Sequence, residues 1–272
     1  MGVQAISISI VTYNSELYIG KLLDSFNQHV HHPDYHIYII DNGSTDKTID
    51  IIKDRISPSI TLVQSPRNKG FGSGHNTILD QINSKYHVCV NPDIILVNDI
   101  ISAMAHYMDE NAEIGLVTPK ILNLDGSLQI LPKKNPKLIY LIARRINLSF
   151  LRKYREKYEM QEQKDSCKCD VEFCSGCFMF MRTALFKELG GFDERFYMYF
   201  EDADLTRRMC GQARAEYNSD FSVVHAWERA GSKKLKFFII QIVSMLKYLI
   251  KWRGSNSKQV ITKRLTSLRG KK

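Results

Sequence analysis

The sequence predicts an α/β fold, a mostly parallel central sheet flanked by helices. Three observations carry this expectation. Short β-branched runs alternate with segments of helical spacing through the first third of the chain, and the connections between them are short. Hydrophobic residues make up 44% of the 272 residues and charged residues 25%, the balance of a globular domain. That balance excludes a disordered chain, a collagen-like fibre and a polytopic membrane protein.

Ile6–Val11 is a β-branched run and the first strand. Asn14 and Ser15 are cap candidates for a helix whose Leu17, Leu22, Leu23 and Phe26 recur at helical spacing. Ile37–Ile40 is the second strand and ends in Asp41. Ser44 or Thr45 caps a second helix holding Ile49, Ile52 and Ile56, with Asp46 near its positive end. Ile60–Val63 is the third strand. A glycine-rich loop, Asn68 to Gly74, leads into a helix with Ile78, Leu79 and Ile82, and Tyr86–Val90 is a fourth strand ending at Asn91-Pro92-Asp93. Ligands of such sheets bind outside the carboxyl ends of the strands. Segments 12–14, 41–46, 68–76 and 91–93 are therefore expected along one edge.

The second half is less regular. Residues 133–157 hold nine basic residues and one acid, Glu156. A strand Cys177–Met181, the run Gly190-Gly191-Phe192-Asp193, an acidic helix start Glu201-Asp202-Ala203-Asp204 and a short strand Ser222–Val224 ending at His225 follow. The net charge of +9 is concentrated at the end: residues 233–272 hold twelve Lys and Arg and no acid, leaving 26 basic against 29 acidic residues elsewhere. The expected organisation is one domain over 1–230, with a nucleotide-binding part to about residue 95 and an acceptor part after it, then a basic amphipathic helical tail over 231–272.

In that tail Lys233, Lys236, Ile240, Ser244, Lys247 and Lys251 form one narrow, mostly basic stripe, with Phe237, Phe238, Ile239, Ile242, Val243, Leu246, Leu249 and Ile250 around the rest. Such a helix can lie on an anionic membrane, each Lys or Arg contributing ~1 kcal/mol. It can equally pack on the domain or on a second copy in a homodimer. Its apolar face is too large for a nucleic-acid-tracking arm, so no nucleic acid is expected. The apolar run is also too short to span a bilayer, which takes ~20 residues. The first residues lack the pattern of a signal peptide, so a cytoplasmic protein with reduced thiols is expected. The spacings Cys167-Lys168-Cys169 and Cys174-Ser175-Gly176-Cys177 do not pair two C-x₂₋₄-C units, which favours free thiols over zinc.

Several residues could carry chemistry. Asp41, with acceptor oxygens only, suits a nucleobase N–H or a ribose hydroxyl, although the segment is also a tight turn. The glycine-rich loop matches neither the dinucleotide nor the P-loop fingerprint but allows backbone to approach a ligand. Asp93 could hold a divalent cation bridging to a diphosphate, since Mg²⁺ commonly takes one or two carboxylates plus substrate phosphates. Asp202 and Asp204 are about 200° apart on a helix, so both cannot face one pocket. Asp204 is expected to form a surface pair with Arg207 or Arg208, leaving Asp202 or Glu201 for the pocket. His225 ends a strand and could join the same site.

Together, Val11-Thr12-Tyr13-Asn14, Asp41-Asn42-Gly43-Ser44-Thr45-Asp46, Asn68-Lys69-Gly70-Phe71-Gly72-Ser73-Gly74-His75-Asn76, Asn91-Pro92-Asp93, Gly176-Cys177-Phe178-Met179, Gly190-Gly191-Phe192-Asp193 and Glu201-Asp202-Ala203-Asp204-Leu205 resemble the inverting family 2 glycosyltransferases of GT-A fold. The nearest branch is the rhamnosyltransferase-like enzymes of O-antigen and surface polysaccharide synthesis. The resemblance runs from residue 6 to about residue 230.

It implies a GT-A, Rossmann-like sheet and a nucleotide-sugar donor held by Val11, Thr12, Tyr13, Asp41, Asn68, Lys69, Gly70, Asn76 and Asn91. Asp93 would be the metal carboxylate of the D-x-D motif, with Asn91 where the first Asp usually stands. His225 would complete the site for Mg²⁺ or Mn²⁺, and Asp202 would be the catalytic base. The implied donor is dTDP-L-rhamnose and the implied acceptor a polyprenyl-diphosphate-linked glycan at the inner face of the cell membrane. A UDP-hexose or UDP-N-acetylhexosamine transferase, or a non-catalytic scaffold of the same fold, is the alternative.

Overall fold

Isoleucine alternates with serine along the first strand, which sends Ile6, Ile8 and Ile10 to one face and Ser7 and Ser9 to the other. Both sets are fully buried, so the sheet is covered on both sides at this strand. The structure, a computed structural model, describes residues 4–130, 133–145, 148–161, 168–226 and 235–254.

The N-terminal half contains β1 (Gln4–Thr12), α1 (Ile19–His29), β2 (Tyr35–Asp41), α2 (Thr48–Lys53), β3 (Ile60–Gln64), α3 (Phe71–Asn76) and β4 (Ser84–Val90). Then come β5 (Ile94–Ile95), α4 (Ile100–Glu110), β6 (Ile114–Leu122), β7 (Leu128–Ile130), α5 (Leu138–Arg145), α6 (Arg152–Tyr158), β8 (Lys168–Asp170), β9 (Phe178–Arg182), α7 (Thr183–Glu188), α8 (Glu201–Met209), β10 (Arg214–His225) and α9 (Leu235–Lys251). One sheet runs β3-β2-β1-β4-β9-β6-β10-β5, with β7 on β6 and β8 on β10. It is parallel through β3-β2-β1-β4. β9 then enters antiparallel to both β4 and β6, while β10 is parallel to β6.

One core layer packs Ile6, Ile8 and Ile10 against Leu22 and Phe26 of α1 and Ile101 and Met104 of α4. The other packs Val11, Cys89, Met179 and Met181 against Ile78, Phe186 and Leu205. Ser7 and Ser9 enter this second layer beside His75 and His87. Ser9 Oγ lies 2.6 Å from His75 Nδ1 and 2.9 Å from His87 Nε2, and Ser7 Oγ lies 2.7 Å from His87 Nδ1. Buried polar groups are tolerable because they satisfy one another.

Several expectations shift. Leu17 is exposed, and α1 starts at Ile19, because Asn14 and Ser15 cap no helix of their own. Their backbone N–H groups instead donate to Ser44 Oγ at 2.9 Å and Thr48 Oγ1 at 2.7 Å, tying two strand-end loops together. α3 begins inside the glycine-rich segment and ends before Ile78. β10 is 12 residues long rather than the three expected. Its polar stretch hid it: Arg214 pairs with Asp170, Glu113 and Glu216, and Tyr107 donates to Glu216.

The tail helix docks on the domain, one of the placements the sequence left open. Lys233 lies outside the described residues, as do 231–234 and 255–272. Within α9 Ser244, Lys247 and Lys251 of the polar stripe reach the protein, while Lys236 is exposed. Ser244 Oγ donates to the Met198 carbonyl at 2.7 Å, Lys247 Nζ to the Arg195 carbonyl at 2.6 Å, and Lys251 pairs with Asp193 and Asp204. Tyr248 is buried with Phe196 and Ala203. The apolar residues Leu235, Phe238, Ile239, Val243, Leu246 and Ile250 face outward, with Leu235 and Ile250 each 72% exposed. Specific hydrogen bonds and ion pairs, which apolar side chains cannot supply, decide which edge docks.

Candidate active site

The carboxyl ends of β1 and β2 are paired directly, Thr12 opposite Asp41. Thr12 Oγ1 donates to Asp41 Oδ1 at 3.0 Å, the backbone N–H groups of Gly43 and Ser44 donate to Oδ2 at 3.0 and 2.9 Å, and Ser44 Oγ donates to Oδ1. Asp41 is 1% exposed, and these four bonds fill the lone-pair sites of its carboxylate. Its described role is to shape the Asn42–Asp46 turn. Tyr13, by contrast, stands out from the rim, half exposed, and burial followed by the Tyr13 charge raises the Tyr197 pKa.

The glycine loop is spaced for the protein's own side chains. Gly70 has φ +94°, and a Cβ there would lie 2.2 Å from the Tyr197 carbonyl oxygen. At Gly72 and Gly74 a Cβ would meet Phe192 and Val11 at 2.8 Å. The loop is fastened by Phe71 N–H to the Tyr197 carbonyl at 3.0 Å and by Asn42 Nδ2 to the Gly70 carbonyl at 3.1 Å. Asn76 is used twice against one residue: Nδ2 donates to the Phe192 carbonyl at 2.8 Å, and Oδ1 accepts from Phe192 N–H at 2.9 Å. It pins the Gly190-Gly191-Phe192-Asp193 turn. Asn68 Oδ1 accepts from Gly70 N–H at 2.9 Å, Val11 is buried, and Lys69 is exposed at the loop's edge.

Asp93 stands between two tethers. Asn91 N–H donates to the Cys177 carbonyl at 2.9 Å, and Ala226 N–H donates to the Asp93 carbonyl at 2.8 Å. β5 pairs with the end of β10, Ile94 opposite His225, which brings His225 Nε2 to 3.1 Å from Asp93 Oδ1. Asp93 Oδ1 is buried, and the His225 ring nitrogen, a donor only when protonated, stands beside it. A carboxylate oxygen and an imidazole nitrogen so placed fit a hard divalent cation that takes its other ligands from phosphate oxygens and water.

Asp202 sits at the first turn of α8, after Tyr199 and Phe200, which both adopt left-handed φ near +70°. Such strain on two aromatic residues sets the entry of the helix. Asp202 Oδ2 accepts from Gly176 N–H at 3.0 Å and Oδ1 from Ala203 N–H at 2.8 Å. Burial raises its pKa, while those backbone donors and the Lys133 ammonium pull it back. Its neighbour Glu201 is fully enclosed, and burial plus the Asp202 charge lift its pKa well above the usual carboxylate range. Of the two, Glu201 is pushed further toward its protonated form, by burial and by the Asp202 charge. Asp204 makes no surface pair: it is 0% exposed and meets Arg208 at 2.8 Å, Lys251 at 2.6 Å and Trp252 Nε1 at 2.9 Å.

These pieces form one rim. Gly176 N–H holds Asp202, the adjacent Cys177 carbonyl holds Asn91, and both Asp93 and Asp202 act electrostatically on the Cys177 thiol, which burial pushes up to about 12. A Cβ on Gly176 would lie 3.2 Å from Phe71 and 3.3 Å from Asp202, which connects the glycine loop to the acid. The five described cysteines are free thiols, and no group of three or more His, Cys, Asp or Glu residues among the described residues could hold a metal. Sequence reasoning missed Lys133 and Gln129. Lys133 lay in a basic stretch with no distinguishing pattern, and Gln129 in a strand of three residues.

Fold and rim together define a glycosyltransferase of GT-A architecture. The chain belongs to glycosyl transferase family 2, whose model matches residues 7–190. It is 27% identical over 212 residues, 73% of this chain and 68% of the relative, to the N-acetylglucosaminyl-diphospho-decaprenol L-rhamnosyltransferase of Mycobacterium tuberculosis. It is 25% identical over 236 residues to the rhamnosyltransferase WbbL of Escherichia coli K12, covering 80% of this chain and 82% of that protein. Among solved structures, the mannosyltransferase PcManGT of Pyrobaculum calidifontis, in complex with GDP-Man and Mn²⁺, superposes with a TM-score of 0.64 at 17% identity, over 94% of this chain and 66% of that one. Staphylococcus aureus TarS 1–349 with UDP-GlcNAc gives 0.63 at 20% identity, over 90% and 66%.

Proposed function

We propose that the protein transfers a sugar from a nucleotide-sugar donor to a hydroxyl of a lipid-linked glycan, with inversion at the anomeric carbon, and that the sugar is L-rhamnose from dTDP-L-rhamnose. The observation that carries the reaction type is Asp202: a carboxylate hydrogen-bonded by Gly176 and Ala203 N–H, beside Glu201, on the same rim as Asp93 and His225. The choice of sugar and acceptor rests on what the rhamnosyltransferase relatives are named for.

Asp202 accepts the proton of the acceptor hydroxyl as its oxygen attacks the anomeric carbon. The nucleoside diphosphate departs from the opposite face, so no enzyme nucleophile is needed. A sugar hydroxyl is far less acidic than a carboxylic acid, so the proton moves late and orientation supplies much of the rate. Asp93 and His225 would hold Mg²⁺ or Mn²⁺, whose charge offsets that on the leaving diphosphate. Tyr13 and Tyr197 offer aromatic surface to the nucleoside, and the turn shaped by Asp41 borders it.

A lipid-linked acceptor needs a protein that meets a bilayer. No helix among the described residues is long and apolar enough to cross one. We assign the contact to the outward apolar face of α9, which is anchored on the helix carrying Asp202 and continues into a segment with six further Lys and Arg and no acid over 255–272. Flotation with anionic vesicles tests it: Leu246→Asp with Ile250→Asp should abolish binding, equal binding of both forms would refute it, and apolar-face-dependent dimerisation in light scattering would assign the face to a second copy.

The reaction itself is tested with purified protein, dTDP-L-rhamnose and a polyprenyl-diphosphate-linked N-acetylglucosamine. Asp202→Asn should lose transfer by a factor of ~10²–10⁴ with donor binding retained. Unchanged transfer would remove Asp202 from the chemistry, and a nucleotide-sugar panel with no turnover by wild type would favour a scaffold.

A further inference from the structure

We propose that Gln129 is a positioning residue for the metal centre: it locks the His225 ring in the tautomer that turns a nitrogen lone pair toward Asp93. This inference rests on the reading of Asp93 and His225 as metal ligands.

The argument starts from the amide of Gln129, in β7. Its Nε2 lies 2.8 Å from Asn123 Oδ1 and 3.1 Å from the His225 carbonyl oxygen. Both neighbours are acceptors, so the amide N–H₂ must face them and the amide oxygen must face the other way. That oxygen, Oε1, lies 2.6 Å from His225 Nδ1. An oxygen cannot donate, so Nδ1 carries the hydrogen. In the neutral ring Nε2 then holds its lone pair, 3.1 Å from Asp93 Oδ1, itself an acceptor.

A shared positive charge holds the two atoms at that distance: a proton on Nε2 in the imidazolium, or a divalent cation beside both atoms when the ring is neutral. Imidazole ligands are typically set in this way, by a second hydrogen bond from the other ring nitrogen. Asn123 is fixed in turn. Its backbone N–H donates to the Ser127 carbonyl at 2.8 Å, and its Nδ2 donates to Ser127 Oγ at 2.8 Å. The hairpin between β6 and β7 thus holds Asn123, Asn123 holds Gln129, and Gln129 holds the ring at the end of β10. Gln129 supplies three contacts from one amide, which neither leucine nor alanine could replace.

The test combines the full-length protein, ¹⁵N-histidine NMR at mildly alkaline pH and Mn²⁺ titration by EPR with dTDP present. Wild type should show His225 as the Nδ1–H tautomer. Gln129→Leu should move it toward Nε2–H and weaken Mn²⁺ binding ~10–100-fold. It should raise the metal concentration needed for half-maximal transfer while leaving the rate at saturating metal close to wild type. Gln129→Glu keeps an oxygen toward Nδ1–H and should retain the Nδ1–H tautomer, while losing the two bonds its N–H₂ gives to Asn123 and the His225 carbonyl. Asn123→Ala, which leaves Gln129 in place, should give an intermediate loss if the leucine variant fails to fold.

An Nε2–H tautomer in wild type, or undiminished Mn²⁺ affinity in a folded Gln129→Leu protein, would overturn the proposal. Asp93→Asn and His225→Ala separate the two levels. If they weaken Mn²⁺ binding while Gln129→Leu does not, only the role of Gln129 fails. If neither weakens it, the metal reading itself fails.

Discussion

Lys251 of α9 reaches Asp204 of α8 with an Nζ to Oδ1 distance of 2.6 Å, so the last described helix is ion-paired to the helix that carries the candidate base. Asp204 is fully buried and keeps Arg208 as a second partner. Lys251→Met should therefore cost less than the ~3–5 kcal/mol of stranding a buried charge, about 1–3 kcal/mol. Urea denaturation checks the stability. Transfer should fall with it, because α8 loses its clamp.

Gly70→Ala should be among the most damaging single changes to donor binding. The added methyl would press on the Tyr197 carbonyl, and φ +94° disfavours any L side chain. The Phe71–Tyr197 bond holds the loop there, so the loop must move as a unit. Calorimetric titration with dTDP should show weakened binding, with a stability loss of ~1–3 kcal/mol.

Glu201→Gln and Asp202→Asn should separate cleanly. Burial and the Asp202 charge raise the Glu201 pKa, so its amide replacement should retain transfer while Asp202→Asn does not. A folded-state pKa raised above the unfolded one favours folding at low pH, and that contribution is lost as pH rises from about 4.3 through the folded value. Glu201→Gln should flatten this loss in denaturation midpoints measured upward from about pH 4.3.

Histidine burial acts in the opposite direction. Burial lowers the His87 pKa to about 3, and that of His75 falls as well, by burial and by the neighbouring His87. Each ring stays neutral when folded and gains a proton when unfolded below about 6.5. Stability is therefore full above that pH and falls below it, with a limiting slope of ~1.4 kcal/mol per pH unit for each histidine. Denaturation midpoints between pH 7.5 and pH 5 check it, and His87→Gln should show a shallower decline.

Much of the site was legible because strands end where hydrophobic runs stop, and parallel topology sends those ends to one edge. Thr12, Asp41, Asn91 and Asp93 follow from that rule. Their individual duties do not. Whether Asp41 faces a ligand or its own turn depends on Thr12 and Ser44, and Asn76 spends both hydrogen-bonding atoms on Phe192, more than a hundred residues away. β10 escaped because alternating polar residues, paired in space with Asp170 and Glu113, look like loop in a linear reading. The direction of α9 was unreadable for a related reason. Periodicity marks a polar edge and an apolar edge but not which one has partners waiting.

A helix fixed by its polar edge leaves its oily side stranded in water. Protein purified in plain buffer should therefore crowd into aggregates or cling to surfaces, and mild detergent should disperse it. On the proposed function, Asp202 would then ride at a set height above any layer that shelters this ledge, so the acceptor's headgroup size and glycan length would govern which hydroxyl comes within reach.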